Sequence, residues 1–138
     1  LPLQTTFDIV NCISVLYHIL DDALFTQSLM NLCQWVSPEG VLIVSDIFGR
    51  APAARHARFR SLATYETILE RNQMHIVSRL PVYYLLNRTF IPVIGPWIID
   101  ALQLGESLVH LDRQFRRAGV TSGASMYFLL AKRVRGSV

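Results

Sequence analysis

Two short runs carry apolar residues almost without polar alternation. One is Phe7-Asp8-Ile9-Val10-Asn11-Cys12-Ile13, rich in β-branched side chains, and the other is Val41-Leu42-Ile43-Val44. Runs of this kind suit strands buried on both faces, as in a parallel sheet. Between them Phe25, Leu29, Leu32, Cys33 and Val36 recur at helical spacing. Asp21 and Asp22 offer acidic cap residues before that stripe, and Ser37-Pro38-Glu39-Gly40 reads as its stop. The pattern predicts a βαβ unit.

Further along, Leu62, Tyr65 and Leu69 predict a helix over residues 62–72, leading into a strand over residues 75–80. Spacing is then irregular until Ala101, Leu104, Leu108, Leu111, Phe115 and Ala118, which alternate steps of three and four up to Gly119. They predict a third helix over residues 101–118, with Gly105 as a break. Residues 126–132 complete the series as a last apolar strand. The predicted order is β-α-β-α-β, an irregular stretch, α and β. No repeat, low-complexity tract or Gly/Ser linker interrupts it, so residues 1–138 are expected to form one unit.

Composition narrows the function classes. The 138 residues are 51% hydrophobic and 17% charged, and the net charge of +3 gives no nucleic-acid signature. The longest apolar stretch, residues 90–104, contains Pro92, Gly95, Pro96 and Asp100 and falls short of a membrane-spanning helix. Cys12 and Cys33 stand in apolar surroundings without His or Cys at metal spacing, so they read as reduced core thiols, with no metal site and a cytoplasmic setting expected. No charged segment precedes an apolar one at the start, so no signal peptide is expected. The first residue is Leu1 rather than Met, and the natural start is expected upstream.

Several of these segments together resemble the second half of the class I S-adenosylmethionine-dependent methyltransferases of the small-molecule type. The similarity lies in Phe7-Asp8-Ile9-Val10, in Val15-Leu16-Tyr17-His18-Ile19 with Asp21-Asp22, and in Ser37-Pro38-Glu39-Gly40 leading to Val41 through Asp46. It continues in His56-Ala57-Arg58-Phe59-Arg60-Ser61 and in Phe128-Leu129-Leu130-Ala131-Lys132-Arg133. The resemblance implies an α/β, Rossmann-like methyltransferase fold, partial. Its carboxyl-terminal half would hold two parallel strands with a crossover helix, then an antiparallel edge pair with helices. The family's glycine-rich loop and the acidic ribose ligand have no counterpart here, so the chain is expected to be a half-domain. Where the family often has glycine, Gln73 stands, and the neighbouring Asn72 is expected to supply a left-handed residue.

In open α/β sheets ligands bind beyond the carboxyl ends of the strands, which brings residues 13–18 and 46–60 to one cleft. The resemblance implies that Ile13 and Ser14 meet the methionine part of S-adenosylmethionine, with Tyr17 nearby, where a ring favours the cationic sulfonium. A neutral imidazole at His18 would accept a proton from a substrate hydroxyl; a binding role or a loop-capping role is open as well. Asp46, at a strand end, orients a substrate hydroxyl or amine, or caps the following loop. His56 and Arg58, in a run with Arg50, Arg55 and Arg60, would clamp an anionic group on a small-molecule substrate, or belong to a solvated face. Residues 81–96, with Tyr83, Tyr84 and Phe90, cover a sheet edge, close over an apolar substrate, or touch a membrane surface.

The function expected is methyl transfer from S-adenosylmethionine to a small molecule, as part of a complete domain. One alternative is a non-catalytic methyltransferase-like module that self-associates or pairs with a separate amino-terminal half. The other is a nucleotide-dependent oxidoreductase fragment, which requires a dinucleotide fingerprint upstream.

Overall fold

In a computed structural model, both apolar runs are strands and the stripe between them is a helix. In chain order the elements are β1 (Phe7–Ile13), a one-turn helix (Leu16–His18), α1 (Asp22–Gln34), β2 (Val36–Asp46), α2 (Leu62–Arg71), β3 (Met74–Tyr83), α3 (Gly105–Arg117) and β4 (Met126–Arg133). The structure describes residues 5–48, 55–83, 105–120 and 126–134. The chain divides into two units, residues 1–79 with 128–138 and residues 80–127.

The first unit is built on a four-stranded sheet of order β1-β2-β4-β3. β1 and β2 run parallel, with Ile9 opposite Val41, Asn11 opposite Ile43 and Ile13 opposite Ser45. Parallel neighbours need a crossover, and α1 supplies it. Its start is fixed by Asp21, whose carboxylate accepts the Leu24 N–H at 2.8 Å. One core gathers Val10, Leu42 and Val44 from the parallel strands, Phe25, Leu29 and Cys33 from α1, Tyr65, Ile68 and Leu69 from α2, and Leu129 and Ala131 from β4. Both helices therefore cover the sheet face that carries Val10. On β1 the alternate positions Phe7, Ile9 and Ile13 are 43%, 62% and 49% exposed, which corrects the expectation of a strand buried on both faces.

The segment read as a helix stop is strand instead. α1 ends at Gln34, Val36 opens β2, and Ser37-Pro38-Glu39-Gly40 bulges within β2, because Phe7 pairs with Val36 while Ile9 already pairs with Val41. Ser37 Oγ donates to Asp8 at 2.9 Å across this bulge. Glycine is required at position 40, since a Cβ there would lie 2.9 Å from the main-chain oxygens of Phe7 and Asp8. After α2 the left-handed residue is Gln73 (φ +59°), whereas Asn72 has φ −100°. The side-chain amide of Asn72 donates to the Ile68 carbonyl at 2.7 Å, and the reversal falls one residue later.

In the second unit α3 is described over Gly105–Arg117, and residues 101–104, on which the expected break at Gly105 depends, lie outside the described residues. Leu111 and Phe115 of its predicted stripe are exposed, while Asp112 is buried. Residues 84–96 of the aromatic and proline-rich stretch, and Arg50, also lie outside the described residues. No helix among the described residues is long and apolar enough to cross a membrane.

Candidate functional site

The carboxyl ends of β1 and β2 are tied together at their last pair. Ser14 follows β1 in a left-handed conformation (φ +57°). Its N–H donates to Ser45 Oγ at 2.8 Å, with the two hydroxyls 3.4 Å apart. Ser45 is fully buried, so this bond fixes where the chain leaves the sheet. Leu16, 1% exposed, then anchors the one-turn helix in the core, leaving Tyr17 half-buried and His18 exposed. The Tyr17 ring lies 4.4 Å from that of His18 and 5.7 Å from that of Phe59.

Residues 56–60, which follow β2 in the chain, dock along residues 17–22. The Arg58 N–H donates to the Tyr17 carbonyl at 2.7 Å, and its guanidinium reaches Asp22 and the Leu20 carbonyl. Arg60 is 6% exposed and donates to Asp22 Oδ1 at 3.1 Å, Ile19 O at 2.9 Å, Asp21 O at 3.3 Å and Arg58 O at 3.3 Å. Its guanidinium carbon sits 3.9 Å from the centre of the Phe25 ring, a cation–π contact that offsets part of the cost of burying the charge.

The same docking orients a histidine. His18 Nδ1 lies 3.0 Å from the His56 carbonyl oxygen. A carbonyl only accepts, so Nδ1 carries the proton, and the neutral ring keeps an unprotonated Nε2 able to take a proton from a hydroxyl. The His56 ring stacks near that of His18, with centroids 6.1 Å apart.

Asp46 sits behind this surface. It is 1% exposed, and its carboxylate accepts the Ile47 N–H at 2.6 Å and the Tyr65 hydroxyl. Burial raises its pKa above the usual carboxylate range, against the lowering effects of the Tyr65 and Ile47 bonds and of the Arg60 and His18 charges. Burial, and then the Asp46 charge, raise the Tyr65 phenol as well. Half-buried Cys12 is pushed up first by burial and then by Asp46. Both cysteines are free thiols.

Of the residues singled out in the sequence, Tyr17, His18, His56 and Arg58 are brought together, while Ser14 is tied to Ser45 and Asp46 is joined to Tyr65. Ile13 and Val15, 49% and 52% exposed, flank Ser14 in the segment that leads to Tyr17. These residues are apolar or aromatic, and the nearby Arg58 guanidinium is paired with Asp22, so their chemistry fits the aliphatic chain beside a sulfonium. Sequence reading missed the central parts played by Arg60, Asp22, Ser45 and Tyr65. The available signal was a pair of acids, Asp21-Asp22, opposed by arginines two residues apart, Arg58 and Arg60.

No family model matches the chain, and no curated protein matches it. Solved structures do. An O-methyltransferase from a polyketide synthase multienzyme of Brevibacillus brevis, in complex with S-adenosyl-L-homocysteine, is 15% identical over 97% of this chain and 46% of its own, with a TM-score of 0.58. An S-adenosylmethionine-dependent methyltransferase from Clostridium acetobutylicum is 10% identical over 96% of this chain and 61% of its own, also with a TM-score of 0.58. Magnesium protoporphyrin IX methyltransferase from Synechocystis, with bound S-adenosylhomocysteine, is 16% identical over 96% and 47%, with a TM-score of 0.57. The chain thus spans between about half and three-fifths of the length of these three proteins. Its fold is the Rossmann-like methyltransferase fold, in part.

Proposed function

We propose that this chain is the carboxyl-terminal part of an S-adenosylmethionine-dependent methyltransferase acting on a small molecule. The observation that carries the reading is the overlap of nearly the whole chain with methyltransferases, combined with a polar and aromatic cluster where the strands of such a sheet end. S-adenosylmethionine, when bound, supplies an electrophilic methyl group on a sulfonium. Ile13, Ser14 and Tyr17 form the wall against its methionine part. His18 takes the proton of an acceptor hydroxyl on Nε2, the nitrogen left free by the bond to His56. Arg58, its side chain 53% exposed beside Asp22, meets an anionic acceptor together with His56. Asp46 acts at one remove, through Tyr65, by keeping α2 against the strand end.

A wall on one side holds a ligand weakly, in the millimolar range near −4 kcal/mol. Amide nuclear magnetic resonance on the 138-residue chain, titrated with S-adenosylhomocysteine, is suited to that range. Shifts concentrated on residues 13–18 are expected. Shifts centred elsewhere, or none at millimolar ligand, overturn the reading.

A second reading, a non-catalytic module that pairs with a partner, is favoured by the exposed Phe7, Ile9 and Ile13 of β1. It predicts stable association together with a silent titration.

A further inference from the structure

We propose that the Asp22–Arg60 pair determines which ring nitrogen of His18 carries the proton, making Asp22 and Arg60 positioning residues. The inference rests on the reading of His18 as a proton acceptor for its consequence, while its geometry stands without any ligand.

An unconstrained neutral histidine favours the Nε2–H form, which would leave the outward nitrogen of His18 unable to accept a proton. The carbonyl of His56 reverses that preference by accepting from Nδ1 at 3.0 Å. The position of this carbonyl is not set by His56 itself, whose ring is exposed. Its peptide leads into buried Ala57, and the run is held four residues on by Arg60, whose buried guanidinium is locked to Asp22 at 3.1 Å and to the carbonyls of Ile19 and Asp21 at 2.9 and 3.3 Å. The main-chain bond from Arg58 to Tyr17, at 2.7 Å, lies between the two and makes residues 56–60 a short ribbon laid against residues 17–22.

Within that ribbon Asp22 supplies the negative charge for Arg60. The remaining acceptors of Arg60 are neutral carbonyls, so removal of the carboxylate leaves a buried cation incompletely compensated. The cation then moves toward water and takes the ribbon with it. Asp22 is itself 58% exposed at the first turn of α1, so a change there leaves the core intact. Replacing its carboxylate by an amide keeps its size. Lysine in place of Arg60 keeps the charge but cannot form the fork that reaches Asp22 and the Ile19 carbonyl together.

The test is the imidazole nitrogen spectrum of the 138-residue chain, recorded without ligand at alkaline pH, where the two tautomers have distinct signatures. The unaltered chain is expected to hold His18 mainly as Nδ1–H, while exposed His75 is mainly Nε2–H. Asp22→Asn is expected to lower the Nδ1–H to Nε2–H ratio of His18 about fivefold to tenfold, the size of one lost hydrogen bond. Arg60→Lys is expected to lower it equally, and neither variant changes His75. A mainly Nε2–H His18 in the unaltered chain, or a ratio unmoved by both substitutions, overturns the proposal. A silent S-adenosylhomocysteine titration overturns the methyltransferase reading and leaves this ratio as it is.

Discussion

A carboxylate buried without a cation bonded to it is unusual, and at Asp46 it has a measurable signature. Because burial raises its folded pKa, the protonated form is favoured in the fold. The stability this contributes is full below the ordinary value of 3.8 and is lost as pH rises through the raised one. Asp46→Asn removes the titration. Its stability relative to the unaltered chain should therefore improve steadily as pH rises from acid toward neutral, and urea unfolding at a series of pH values measures this. A constant difference would mean that Asp46 does not titrate in this range. At this scale the sequence disclosed which residues stand at the strand ends but not their partners. The strand-end position of Asp46 is legible and predicts a substrate-side or loop-capping group. The Tyr65 hydroxyl that engages it arrives from α2, nineteen positions away, and no local pattern encodes that meeting.

Elements here are held by residues borrowed from other elements. α1 has no basic residue in its last turn, although its carbonyls carry partial negative charge there. The cation comes from the far end of the chain. Arg133 of β4 donates to Cys33 O at 2.9 Å and to Val36 O at 3.2 Å, spanning the turn between α1 and β2. Arg133→Met should cost about 1–3 kcal/mol, as carbonyls at a helix end lose a charged donor, and a urea unfolding midpoint reads that loss directly. An unchanged midpoint would mean that water replaces the guanidinium without cost. The hydrophobic pattern disclosed β1 to β4 and α1 to α3, because periodicity is a local property, but not the one-turn helix Leu16–His18. It misplaced the boundary at Ser37-Pro38-Glu39-Gly40, where turn-forming residues serve a bulge; only the pairing with β1 distinguishes the two. Residue preference assigned the left-handed position to Asn72, whereas Gln73 takes it and Asn72 bonds to the Ile68 carbonyl.

For the molecule as a whole, the sheet face opposite α1 and α2 is the outstanding feature. Phe7, Ile9 and Ile13 present an apolar row at β1, the last strand of the described sheet. A parallel strand of this composition is normally covered on both faces, so the chain should self-associate when nothing else covers it. Ile9→Lys, at the most exposed of the three, should shift light scattering toward the monomer while leaving the far-ultraviolet dichroism unchanged. Scattering unaffected by the lysine would exclude this row as the contact. The strand order also bears on how the chain comes into being. A ribosome releases β1, α1 and β2 before β3 and β4, and these three can pair as soon as they emerge. β3 cannot join them at once, since its place in the sheet lies beyond β4, which is made after it. Until then both β2 and β3 offer unsatisfied backbone edges to the cell, and β4 acts as the keystone that closes them.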